Sequence, residues 1–201
     1  MKLYYSPGAC SLSPHIILRE AGLEFEMERV DLKSKKTEHG IDYLEINPKG
    51  YVPAVRLDDG ELLTEGPAIV QYLADWVPER KLAPAAGTME RVRLQEWLNF
   101  ISTELHKSHS PLFNPAAPEE WKTWMRDLIG RRLALVAKQL EGRDYLLGDF
   151  SVADPYLFTV LSWGRFVNVD SSAWPVIGAY QARMAARPAV LAALKAEGLL
   201  K

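Results

Sequence analysis

Short apolar runs at strand spacing alternate with longer runs at helical spacing over the first 80 residues. Beyond them only the helical period survives. Residues 2–5, KLYY, are aromatic-rich and stop at Ser6-Pro7-Gly8, which predicts a strand running into a turn. From Ser11 the period changes. Leu12, Ile16, Leu18 and Ala21 recur at roughly helical spacing, and Gly22 supplies a C-terminal stop. In EFEMERV, residues 24–30, Phe25 and Met27 fall between Glu24, Glu26 and Glu28, which predicts a strand burying that apolar pair. Strand, helix, strand implies a right-handed crossover and a parallel pair. Residues 33–50 are polar and rich in breakers, so they read as a loop with one helical turn around residues 42–46. VPAVRL and ELL are strand candidates joined by Asp58-Asp59-Gly60, a strong hairpin signal. TEGPAIVQYLADWV predicts a helix capped by Thr64, with Pro67 in its first turn and Ile69, Tyr72, Leu73 and Trp76 on its apolar face.

PERKLAPAAG, residues 78–87, carries two prolines and a glycine and reads as a linker. Residues 88–108, 119–141, 151–167 and 173–186 then show helical periodicity, with a short helix after Pro188. SPLFNPAAP, EGRDYLLGD and RP mark the breaks. Ser151-Val152-Ala153-Asp154 has the layout of a capping box, with Asp where Glu or Gln is usual. The predicted architecture is a two-domain α+β/α chain. Residues 1–80 form a β-α-β then β-β-α domain, and residues 88–201 an all-helical one.

Composition adds exclusions. With 48% hydrophobic and 25% charged residues, the 201-residue chain has ordinary globular character. A net charge of −2 gives no electrostatic pull toward nucleic acid or an anionic membrane. The balance is uneven: residues 1–80 hold 9 Lys and Arg against 14 Asp and Glu, the remainder 15 against 12. A single cysteine cannot form an intramolecular disulfide. The N-terminus lacks the apolar run of a signal peptide, and no stretch reaches the roughly 18 apolar residues of a membrane span, so a reducing cytoplasmic setting is expected.

Cys10 lies two residues past Pro7-Gly8, at a predicted helix start. There, unpaired N–H groups and the helix dipole favour an anion and hence a thiolate. Free cysteine is also a common core residue, and position alone leaves both readings open. Ser13 stands where the second thiol of a Cys-x-x-Cys pair would be, so any redox chemistry needs an outside thiol. Val52-Pro53 opens a strand. A trans bond makes it a plain strand entry, whereas a cis bond would turn the Val52 backbone toward an extended peptide. Glu65 and Gly66 sit at a helix N-terminus, suited either to the ammonium and carboxylate of an amino acid or simply to the dipole. Asn99, Thr103 and His106 follow i, i+4, i+7 spacing, a polar stripe that is either solvated or ligand-facing. His106 and His109 lack a third ligand, so no metal is expected. Lys33, Lys35 and Lys36 crowd one loop, solvated or within reach of a ligand carboxylate. Together these features describe a site for a small thiol peptide with acidic ends.

The segments KLYYSPGACSLSPHI, NPKGYVPAV, LLTEGPAIVQYLAD, EWLNFISTELHKSHSPLF and FSVADPYLFTVLSW resemble, in order and spacing, the glutathione transferases of the bacterial beta class. The resemblance spans the whole chain, and the Cys10 segment and STELH narrow it to that class. It implies a thioredoxin-like N-terminal domain, an all-helical C-terminal domain, a homodimer, and glutathione as co-substrate with no metal. It assigns Cys10 to face the glutathione sulfur and Lys35 to its glycine carboxylate. Val52, ahead of a cis Pro53, pairs with the cysteinyl backbone, and Glu65 and Gly66 clamp the γ-glutamyl end. Relatives often carry Ser at that last position, so here backbone N–H must serve. Asn99, Thr103, Glu104 and His106 correspond to helical-domain residues near glutathione, some reaching it across the dimer. Ser151 and Asp154 correspond to a structural capping box.

The expected reaction is attack of the glutathione thiolate on a hydrophobic electrophile, helped by positioning and a lowered thiol pKa. Cys10 is the leading catalytic residue and Ser11, Tyr5 and His106 its helpers, with mixed-disulfide chemistry at Cys10 as a second capacity. The alternatives are a glutathione-dependent reductase or dehalogenase, and a non-catalytic glutathione- or ligand-binding protein. Phe113, Tyr156 and Trp163 read as core residues or as contacts to the electrophile.

Overall fold

β1 (Lys2–Tyr5) is the middle strand of a five-stranded sheet of order β3-β2-β1-β4-β5. After α1 (Leu12–Ala21), β2 (Glu26–Asp31) returns parallel to β1, as the crossover pattern requires. β3 (Lys36–Thr37) pairs antiparallel with β2 at one edge. After the single-turn α2 (Tyr43–Ile46), β4 (Ala54–Arg56) and β5 (Leu62–Thr64) form the hairpin on the other side, β4 antiparallel to β1. α3 (Gly66–Trp76) packs against α1. This is the expected thioredoxin-like pattern, extended by β3. That two-residue strand lies among breaker-rich residues, too short to show a period of its own.

The structure is a computed structural model describing residues 1–200. The chain forms two compact units. One is Met1–Ala83 together with the chain from Arg187 onward, and the other is Pro84–Ala186. The boundary falls inside the linker, after a 3₁₀ turn at Pro78–Arg80. α10 (Pro188–Ala196) belongs to the first unit, where it packs on α1 and Arg187 pairs with Glu20 at 2.7 Å. Helical periodicity reports that a helix has a buried face, and is silent about which unit buries it.

The second unit is helical: α4 (Met89–Phe100), a π turn at Ile101–His106, α5 (Lys107–Phe113), α6 (Glu119–Leu140), α7 (Ala153–Ser162), α8 (Gly164–Val167) and α9 (Pro175–Ala185). α5 continues through Pro111, where the sequence predicts a break. Pro111 forfeits one backbone bond, the one its N–H would make to Lys107 O.

Three local expectations are corrected. In β2 the buried positions are Glu28 and Val30 and not Met27. Glu28 faces its register partner Tyr4, and the Lys2 ammonium reaches it at 3.1 Å. α3 buries Ile69, Val70, Leu73 and Ala74, leaving Tyr72 and Trp76 exposed and packed on each other at 5.4 Å. Thr64 ends β5 and does not cap α3; Glu65 holds the N-cap position without a side-chain bond.

The Ser151–Asp154 pair works mainly in one direction. The Asp154 carboxylate accepts from the Ser151 N–H at 2.8 Å and from the Leu146 N–H at 2.9 Å, while the Ser151 hydroxyl reaches Ala153 N only at 3.4 Å. Burial pushes the Asp154 carboxyl up, opposed by these bonds and by Tyr180. No helix among the described residues is long and apolar enough to cross a membrane.

Candidate functional site

Residues 6–10 turn the chain from β1 into α1. Ala9 N–H donates to Ser6 O at 3.0 Å, and Gly8 takes φ 71°, a conformation open to glycine because it has no Cβ. Cys10 follows, partly exposed, its thiol directed at Val52 O at 3.1 Å. The helix start is less open than the sequence predicts, because Leu12 and Ser13 N–H already donate to Ala9 O at 3.0 Å and Cys10 O at 3.2 Å. Ser11 does not aim at the sulfur. Its buried hydroxyl accepts from Ser6 N–H at 3.1 Å and donates to Ser6 O at 3.2 Å, stapling the turn. Burial, with the nearby Glu38 and Glu197 carboxylates, pushes the Tyr5 phenol up, so at neutral pH it can offer a hydrogen bond but not act as a base.

The turn is braced from the far end of the chain, a contact that no local pattern predicts. The fully buried Glu197 side chain accepts from Gly8 N–H at 2.9 Å and from His15 Nδ1 at 2.8 Å. Arg19 Nε donates to His15 Nε2 at 2.9 Å, which places the imidazole proton on Nδ1. Leu199 side-chain carbons lie 3.6 and 3.7 Å from where a Cβ on Gly8 would stand.

The Val52-Pro53 bond is cis. The residues before it are held firmly: Tyr43 Oη and Asn47 Nδ2 donate to Tyr51 O at 2.9 and 2.8 Å. Burial pushes the Tyr43 phenol up to about 12, which keeps it a donor. Among the described residues none accepts from Val52 N–H, as a position meant to pair with an outside peptide requires. The Lys35 ammonium donates to Gly50 O at 2.8 Å and lies 5.5 Å from the Tyr51 ring centre. Lys35 itself has φ 57°.

Glu65 occupies φ 69°, ψ 109°, a conformation that costs a residue with a Cβ about 1–3 kcal/mol and recurs at functional sites. Gly66 opens α3, and a Cβ placed there would meet Pro53 Cγ at 3.8 Å, an ordinary contact. Within the first unit Cys10 thus meets Val52, and the buried Pro53 lies against Gly66 beside the exposed Glu65, with Lys35 bonded to Gly50. Lys49, which sequence reasoning missed, donates to Glu65 Oε1 at 2.8 Å and to Thr64 Oγ1 at 3.0 Å. Its only sequence signal is a lysine in an Asn-Pro-Lys-Gly turn.

Within the helical unit, Asn99 and Thr103 are exposed, and Thr103 Oγ1 donates to Asn99 O at 3.0 Å. His106 ends a π turn and is less exposed than they are; its Nδ1 lies 2.7 Å from Tyr156 Oη, and its ring meets Trp163 edge-on at 4.9 Å. Glu104 Oε2 accepts from both Nε and Nη2 of Arg132, each at 2.7 Å. Tyr156 and Trp163 are buried, and Phe113 is half exposed. An open groove of about 540 Å³ lined by Met1, Lys2, Phe25 and Arg56, among others, contains none of the candidate residues.

Residues 8–76 match the family model for the glutathione S-transferase N-terminal domain, and residues 100–188 that for its C-terminal domain. The chain is 50% identical to glutathione S-transferase GstA of Escherichia coli O157:H7 over 200 residues, 99% of this chain and 100% of that one. It matches the structure of BphK, a bacterial glutathione S-transferase in a ternary complex, with TM-score 0.98 and 66% identity, covering 99% of this chain and 100% of that one. It also matches the bacterial beta class glutathione S-transferase of Sphingomonas chungbukensis, with TM-score 0.96 and 50% identity, covering both chains fully.

Proposed function

The chain belongs to the glutathione S-transferase family, and from that premise we propose that it joins the glutathione thiol to hydrophobic electrophiles. Its co-substrate is glutathione, and it is an enzyme of that family, which removes the purely ligand-binding alternative.

One contact carries the reading: the Cys10 sulfur stands 3.1 Å from Val52 O, beside the backbone segment open to pairing with a peptide. Glutathione laid along Val52 by its cysteinyl backbone has its own sulfur next to Cys10. Lys35 then takes the glycine carboxylate, and Glu65 and Gly66 the γ-glutamyl end. Rate gain comes from holding the glutathione sulfur in a fixed place against the electrophile. Ser11 staples the turn and Tyr5 can donate a hydrogen bond, and neither acts as a base. Asn99, Thr103, Glu104 and His106 complete the glutathione contacts, as the resemblance assigns them, in a homodimer working in the cytoplasm.

A second reading, favoured by a partly exposed thiol in a chain with one cysteine, is thiol transfer. Cys10 thiolate attacks the glutathionyl sulfur of a mixed disulfide between glutathione and another thiol. The Cys10–glutathione disulfide forms, the substrate S–S bond breaks, and the other thiol leaves as a thiolate that takes up a proton. A glutathione thiolate then attacks the glutathionyl sulfur on Cys10, releasing oxidised glutathione and returning the Cys10 thiolate.

Mass spectrometry after incubation with oxidised glutathione, together with turnover of Cys10→Ala, separates the two. An adduct on Cys10 and loss of disulfide reduction in the variant are expected. Absence of an adduct removes thiol transfer, and full conjugation of an activated aryl halide by Cys10→Ala removes Cys10 from the conjugation mechanism.

A further inference from the structure

We propose that Lys49 is a specificity residue for the γ-glutamyl end of glutathione, supplying the counter-ion for its α-carboxylate. The inference rests on the placement of glutathione along Val52 and Glu65 under the proposed function.

The starting point is charge matching. Glutathione at neutral pH carries two carboxylates, one at each end, and one ammonium, on the γ-glutamyl α-carbon. The surface running from Gly50 to Gly66 presents two ammonium groups, Lys35 and Lys49, and one carboxylate, Glu65. Lys35 lies at the Gly50–Tyr51 side. The other cation and the lone anion are together at the start of α3, with Lys49 Nζ 2.8 Å from Glu65 Oε1. A γ-glutamyl α-carbon presents the complementary pair, an ammonium and a carboxylate on one carbon. Glu65 takes the ammonium, and Lys49 stands beside it to take the carboxylate, so the four groups close into an alternating ring of charge.

Two further observations fit. Position 66 is glycine and brings no hydroxyl to the carboxylate, which leaves its backbone N–H as the other donor there. Lys49 and Glu65 side chains are also about half exposed or more, at 52% and 68%. An exposed pair of this kind contributes little to folding, and its lysine is free to exchange a partner without a large desolvation cost. The turn beneath it is ordered: Lys49 N–H donates to Asn47 Oδ1 at 3.2 Å, and Thr64 Oγ1 accepts from the ammonium at 3.0 Å.

The test compares dissociation constants of the full-length protein and its Lys49→Met and Lys49→Arg variants for three peptides, by calorimetry. The peptides are glutathione, 4-aminobutyryl-Cys-Gly, which lacks the α-carboxylate, and glutaryl-Cys-Gly, which lacks the ammonium. Lys49→Met is expected to weaken glutathione and glutaryl-Cys-Gly by about threefold to tenfold and to leave 4-aminobutyryl-Cys-Gly nearly unchanged, with Lys49→Arg retaining most of the affinity. The loss shrinks at high salt. The reverse pattern, with 4-aminobutyryl-Cys-Gly weakened and glutaryl-Cys-Gly spared, means that Lys49 only orients Glu65 and overturns the proposal. Equal affinity of wild type and Lys49→Met for all three overturns it as well. A Glu65→Gln control that leaves 4-aminobutyryl-Cys-Gly binding unchanged would instead sink the underlying placement of the γ-glutamyl end.

Discussion

The two compact units bury polar side chains to different ends. In the first, the buried Glu197 carboxylate joins Gly8 N–H and His15, and so fixes the turn that presents Cys10. In the second, the buried Asp154 carboxylate gathers Ser151 N–H, Leu146 N–H and Tyr180 Oη, and so closes the start of α7. Both are carboxylates brought wholly out of water and offset by donors. One holds the turn that carries the chain's only cysteine and the other holds a helix. Burial alone therefore says nothing about chemistry; the address of the donors does.

Deleting each carboxylate in turn puts that contrast under the greatest load. Glu197→Ala strands Gly8 N–H and the His15 Nδ1 donor, and Asp154→Ala strands two backbone N–H groups. Each variant is expected to lose about 2–6 kcal/mol in urea denaturation, at about 1–3 kcal/mol for each of two orphaned groups. They should part company in the folded state. Iodoacetamide alkylation of Cys10, measured well below the unfolding transition, should change in Glu197→Ala and match wild type in Asp154→Ala. Equal alkylation rates in all three proteins would show that the Glu197 brace serves folding alone.

A smaller effect contrasts Glu65 with those buried groups. Its carboxylate faces solvent, and its cost lies in the backbone, at φ 69°. Glu65→Gly removes a strain of about 1–3 kcal/mol and adds about 0.5–1 kcal/mol of chain entropy, so it should be more stable than Glu65→Gln by about 1 kcal/mol. Both should raise the KM for glutathione, by roughly tenfold, because both lack the carboxylate. Stability of Glu65→Gly below that of Glu65→Gln would mean the conformation is not strained.

How much of this could be read from the sequence follows the same division. The strand–helix alternation, the Asp-Gly hairpin and most of the helices were legible because each is written in local periodicity or turn chemistry, whereas the Pro111 break and the Thr64 cap were misread. Cys10, Lys35, Val52, Glu65 and Gly66 could be proposed as a set because they flank breaks in those elements and fall in the segments that carry the family resemblance. Glu197 was not, since nothing local says that a glutamate near the end of a helix will meet a glycine 189 residues away in the chain. The inward turn of Glu28 was hidden because its partner, Lys2, lies on another strand. The π turn was hidden because its sequence fits an ordinary helix. The left-handed backbone of Glu65 runs against the preference of its own side chain.

The smallest expected effect sets the two buried histidines against each other. His15 is enclosed by a carboxylate and a guanidinium. His109 has only Leu105 O, at 2.8 Å, and the Trp163 ring, and burial holds its pKa below the usual 6.5, partly offset by that carbonyl. Unfolded, the imidazole binds a proton at about 6.5; folded, it resists until lower pH. The unfolded state therefore binds more protons in that window, and stability falls as pH drops from about 6.5 toward the depressed folded value. One group changes stability by at most about 1.4 kcal/mol per pH unit. His109→Asn keeps a donor for Leu105 O and removes the titration. Urea midpoints taken from pH 7 to pH 5 should decline less steeply in His109→Asn than in wild type. Asp154, pushed up by burial, contributes a slope of opposite sign, but it is present in both proteins and cancels in the difference. Identical slopes would mean that the helical unit admits a charged imidazole at His109, and that its interior is wetter than the aromatic packing around Trp163 implies.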